Sequence, residues 1–136
     1  MNIKQWVTAG SVFLAASTVS AQPALDANKP MICAATLVVE CVRNGECTSA
    51  TPEVYNLPVL LRINTSEKVI EQAREGGSKR KSAIANAAEV EGVHLLSGTD
   101  GTAGWSMTID HASGQMTVAS ARTGLSHTIY GSCANL

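Results

Sequence analysis

Four cysteines, three histidines and one dense run of cations carry most of the reactive chemistry in this chain. Their meaning depends on the compartment. Lys4 gives a positive start, and the stretch from Gln5 to Gln22 carries no charge. Val19-Ser20-Ala21 then offers small residues at the last and third-last positions before a cut. Residues 1–21 therefore read as a bacterial-type signal peptide. In an exported small domain an even cysteine count reads as disulfides. Four cysteines allow three pairings. Residues 31–41 alternate, with Cys33, Ala35, Leu37, Val39 and Cys41 on one face. Asn44-Gly45 is a tight-turn signal that folds Cys47 back beside Cys41. That geometry favours Cys41–Cys47, and leaves Cys33 and Cys133 to join the first and last strands. The spacings are not Cys-x-x-Cys and no histidine lies near, which argues against zinc and redox readings.

The other reactive residues are dispersed. His94, His111 and His127 fall in separate segments without a carboxylate at ligand spacing. His111 reads as a solvated turn residue. A metal site would need His94 and His127 to meet across strands, so no metal or cofactor site is assigned. Asp100 and Asp110 are too few oxygens for calcium. Gly-x-Ser-x-Gly is absent, and the acids form no pair placed for glycoside chemistry. No catalytic residue is assigned. Arg74, Lys79, Arg80 and Lys81 are the one dense charge cluster, read as a solvated loop or as a docking patch for an acidic partner or lipid head groups. Trp105 reads as a core anchor, with an exposed binding tryptophan as the alternative.

These residues need elements to position them. Residues 22–30, with Pro23 and Pro30, read as a flexible leader, and residues 31–136 as a single domain. Strands are expected at Met31–Cys41, Leu57–Asn64, Lys68–Arg74, Val93–Ser97, Trp105–Asp110, Met116–Ala121 and Ser126–Cys133. Pro58 marks an edge or strand entry. Ser82–Glu91 suits a strand followed by a loop, with a short helix as the alternative. Gly98–Gly104 reads as a glycine-rich turn. Seven or eight short strands with regular turn signals predict an all-β antiparallel meander, closed as an up-and-down barrel, with a β-sandwich as the alternative. The first-to-last bridge favours closure, which removes sheet edges. The expected core is Val, Ile, Leu, Met and Ala, with Trp105, Met107, Ile109, Met116 and Val118 on its side. Such a filling leaves little space for a large ligand.

Met31-Ile32-Cys33-Ala34, the Cys41/Cys47 pair, Asn56-Leu57-Pro58 and Tyr130-Gly131-Ser132-Cys133 resemble a group of short exported proteobacterial proteins of unknown function. That resemblance implies no activity. Size, export, disulfides and β content are loosely similar to periplasmic lysozyme inhibitors. Ser97-Gly98 lacks the tyrosine that follows their Ser-Gly motif, so no inhibitory residue is carried over.

Removal of residues 1–21 takes away Lys4 and leaves nine Lys/Arg against eleven Asp/Glu. A net charge of −2 gives no footprint for nucleic acid. After Ala21 no apolar run approaches the roughly 20 residues of a membrane span. The expectation is a monomeric, non-enzymatic periplasmic β domain that binds another macromolecule. A lipocalin-like carrier of a small hydrophobic ligand is the alternative.

Overall fold

The computed structural model describes residues 23–73 and 79–136. The signal-peptide reading of residues 1–21, and Arg74, lie outside them. Among the described residues nine strands follow in order: β1 Met31–Val42, β2 Cys47–Ala50, β3 Leu60–Asn64, β4 Val69–Ala73, β5 Lys79–Val90, β6 Val93–Asp100, β7 Ala103–Asp110, β8 Gln115–Arg122 and β9 Leu125–Asn135. A short 3₁₀ turn, Pro52–Tyr55, separates β2 from β3. Every pairing is antiparallel, and β1 also pairs with β9. The result is a closed eight-stranded up-and-down barrel, with β2 as an extra strand. β3 pairs with the first half of β1 and β2 with the second half.

The seam between β1 and β9 runs from Met31–Asn135 to Val42–Leu125. Cys33 and Cys133 face each other across it and are bonded, with Cα atoms 4.0 Å apart. The Cys133 N–H bonds Gly114 on the other side, at 2.7 Å, so the two cysteines occupy a non-hydrogen-bonded pair, where side chains come closest. Cys41 and Cys47 are bonded across the mouth of the β1–β2 hairpin. Both pairings are those expected from the turn and strand pattern. The core is Met31, Leu61, Ile63, Ile70, Ile84, Leu96, Met107, Ile109, Met116 and Val118 around the buried Cys33–Cys133 bridge.

Several details differ from the sequence reading. The register of β1 against β9 shifts between Ala35 and Leu37. An extra residue reverses the alternation. Val38 is buried, whereas Leu37 lies on the outside, opposite Tyr130. Leu37, Val39 and Cys41 therefore do not share a face with Cys33. β6 continues through Gly98–Asp100 and β7 begins at Ala103, so only Gly101-Thr102 forms the turn. Lys79-Arg80-Lys81 and residues 82–90 form one long strand rather than a loop and an ambiguous piece. Residues 23–30, read as a flexible leader, are fixed across one end of the barrel. Leu25 donates to the His111 carbonyl, Asp26 and Asn135 exchange two hydrogen bonds, and Thr65 Oγ1 donates to the Ala27 carbonyl. Ala27 is buried and Leu25 packs on the core. No helix of the described residues is long and apolar enough to cross a membrane.

The two bridges close loops of very different length, 100 and 6 residues. In the chain-entropy model these are worth about 4–5 and about 2 kcal/mol. Replacing Cys33 and Cys133 with Ala is expected to lower the urea midpoint far more than replacing Cys41 and Cys47. The reverse order would remove the terminal bridge from its place in barrel closure.

Candidate functional site

One row of residues crosses five strands near the open end of the barrel. Direct partners in the ladder run Glu40, His127, Ser120, Trp105 and Gly98. Glu40 joins this row because the register shift in β1 turns it inward. Its Oε2 lies 2.7 Å from His127 Nε2. The Tyr55 ring meets His127 edge-on, with centroids 6.1 Å apart. The Tyr55 hydroxyl is 2.9 Å from Thr48 Oγ1. The 3₁₀ turn and β2 are thereby tied to the barrel rim.

Inside this rim is a solvent-open cavity of about 130 Å³. Its floor is apolar, from Ala35, Leu61, Ile70, Met107, Val118 and Ile129. Leu57, Pro58, Ala103 and Trp105 form much of its edge, and Gln72, Ser82, Asp100, Ser120 and His127 give it polar points. Gln72 Nε2 donates to the buried Ser82 hydroxyl at 3.2 Å. The Trp105 indole N–H is buried and has no hydrogen-bond partner among the described residues. Such orphaned donors are uncommon in folded proteins. Trp105 thus combines the two sequence readings: it packs against the core and lines an open cavity. Its position depends on Gly98. A Cβ there would meet the Ala83 carbonyl at 2.5 Å and the indole Cζ2 at 2.7 Å.

The cation run opens β5 and is exposed, with Lys79 and Lys81 on the outer face and Arg80 on the face of Ser82 and Ile84. Arg80 donates to Asp100, and Lys81 Nζ lies 3.1 Å from Glu71 Oε1, its ladder partner. The hydrogen bond and charge of Lys81 hold the Glu71 carboxyl below its ordinary range. Lys79 makes no ion pair among the described residues. A docking role for the run would have to compete with these pairs.

The histidines are distributed differently from the sequence reading. His127 and His94 lie toward opposite ends of the barrel and do not meet. His94 is buried, directly across from Glu89 in the β5–β6 ladder. A second register shift, between Ile84 and Asn86, turns Glu89 to that side. His111 is not a solvated turn residue. Its side chain is largely buried and its Nδ1 lies 3.6 Å from Glu89 Oε1. The His94 and His111 ring centroids are 5.8 Å apart. Burial lowers the His94 pKa, His111 lowers it further, and Glu89 acts in the opposite direction. A sequence clue to this group existed: Glu91-Gly92 is a two-residue turn, and such a turn sets residue 89 opposite residue 94.

Glycine at position 98 is expected to be essential to the cavity. In protein starting at Gln22, Trp105 is the only tryptophan, so its emission reports directly on the mouth. Gly98→Val should displace the indole, shift that emission and cost about 1–3 kcal/mol in overpacking. Gly104→Ala is the control, because a Cβ there has nothing within 4 Å. Equal emission spectra for Gly98→Val and the parent would contradict the packing described.

No protein-family model, curated protein or solved structure matches this chain, so its activity has to be argued from the two ends of its barrel.

Proposed function

We propose that the protein is an exported, non-enzymatic binding domain whose barrel mouth receives one apolar side chain of a periplasmic macromolecule. The observation that carries this reading is the size and lining of the mouth cavity. At about 130 Å³ it is near the roughly 150 Å³ cavity that accommodates benzene. It is well below the roughly 300–1,000 Å³ of pockets that enclose a drug-sized ligand. An apolar floor with a few polar points suits a single anchoring side chain, the usual centre of a protein interface. Trp105 at the edge supplies apolar contact area. Two disulfides fit an oxidising compartment, which supports export.

The carrier reading keeps one point in its favour, since the floor is apolar and open to solvent. The two readings separate in one experiment. A photo-crosslinking residue at Ala103, on the mouth, is compared with one at Ala88, toward the plugged end, in cells exporting the protein. The expected result is a discrete protein adduct from position 103 and none from 88. A co-purifying small molecule by native mass spectrometry, without an adduct, would support the carrier instead. Adducts equal at both positions would remove the mouth as the binding site.

A further inference from the structure

We propose that Glu89, His94 and His111 form a site for a divalent transition-metal ion of the zinc class, with a fourth position left open. One ligand atom from each residue lies within 4.8 Å of the other two. A tetrahedral zinc site with bonds of about 2.0–2.1 Å has ligand–ligand edges of about 3.3 Å. The required contraction is small, and the Glu89 side chain, more than half exposed, is free to supply it.

The histidines have a specific need for a partner. Both His94 nitrogens and His111 Nε2 are buried without a hydrogen bond among the described residues. His94 itself is 6% exposed. Buried polar groups normally find partners, and three orphaned imidazole nitrogens in one place are unusual. Two imidazoles and one carboxylate are the donor set of open zinc sites; calcium and magnesium prefer all-oxygen sets.

The ligands sit on fixed backbone. Glu89 and His94 flank the tight turn at Glu91-Gly92, where both residues have positive φ. The His111 N–H bonds the Gly92 carbonyl at 2.9 Å, joining the two turns. Asp110 accepts from the Ser113 N–H and hydroxyl, each at 2.7 Å, and so shapes the turn that carries His111. A solvent-open cleft of about 250 Å³ adjoins Glu89 and His94, beside Asn28, Thr65 and Ser66. It provides an entry path and space for a water or an external ligand as the fourth donor. The site is remote from the mouth, so its failure would leave the proposed binding function standing.

The test is calorimetric titration of ZnCl₂ into tag-free protein purified from cells expressing the full chain. One saturable equivalent is expected. Co²⁺ should give the intense visible absorption of a tetrahedral centre. Changing residues that support a ligand typically weakens metal binding about 10–100-fold, and removing a ligand should cost at least as much. His111→Ala is therefore expected to weaken Zn²⁺ binding about 100-fold, and Glu89→Gln at least about tenfold. His127→Ala, at the other end, should leave it unchanged. Circular dichroism identifies any variant that fails to fold, and Glu89→Gln on the half-exposed side chain guards against that outcome. Absence of a saturable equivalent would overturn the proposal. So would folded His111→Ala and Glu89→Gln proteins that bind as the parent does.

Discussion

The pairing of the first long strand with the last is the constraint on which the structure depends. Without it the sheet would carry two open edges, β1 and β9, each with unpaired N–H and C=O groups. Bringing them together closes a loop of 100 residues, a conformational cost that local turns do little to offset. The Cys33–Cys133 bridge removes much of that cost by constraining the unfolded chain. Closure also encloses the Ile, Leu and Met side chains that make the core. Leu25 and the chain through Pro30 complete it by covering one end, with the Leu136 N–H bonded to the Pro30 carbonyl.

Closing one end and leaving the other open gives the barrel two different environments. At the plugged end, buried imidazoles lie beside a half-exposed carboxylate. At the mouth, an apolar floor opens to solvent, and the Glu40–His127 pair is held by Tyr55. Each environment owes a residue to an irregularity in the sheet. The shift in β1 turns Glu40 inward, and the shift in β5 turns Glu89 toward His94. Bulges of this kind re-aim side chains near sites in many sheets.

Much of the architecture was legible in the residues. The turn signal at Asn44-Gly45 was local and unambiguous, and alternation over Trp105–Ile109 and Met116–Val118 assigned the core side correctly. Hairpin geometry favoured the Cys41–Cys47 bridge, and Cys33–Cys133 was the pair it left. The bulge in β1 was not legible, because Leu37, Val38 and Val39 are all apolar and fit either phase of alternation. The extent of β6 was obscured by glycine: Gly98 resembles a turn residue but is there because the Trp105 indole covers its α-carbon. The histidine group was hidden for a different reason. His111 arrives from the next hairpin, so its approach to His94 is set by the curl of the barrel and not by spacing along the chain.

Nuclear Overhauser contacts between the backbones of β1 and β9 test this account most directly. Closure predicts cross-strand contacts from Met31–Asn135 to Val42–Leu125, with the register stepping by one residue between Ala35 and Leu37. A sandwich or open sheet, held only by the disulfide, would show contacts beside Cys33–Cys133 and none between Val38 and Ile129. That second pattern would contradict the closed barrel and, with it, the enclosed core and both ends described above.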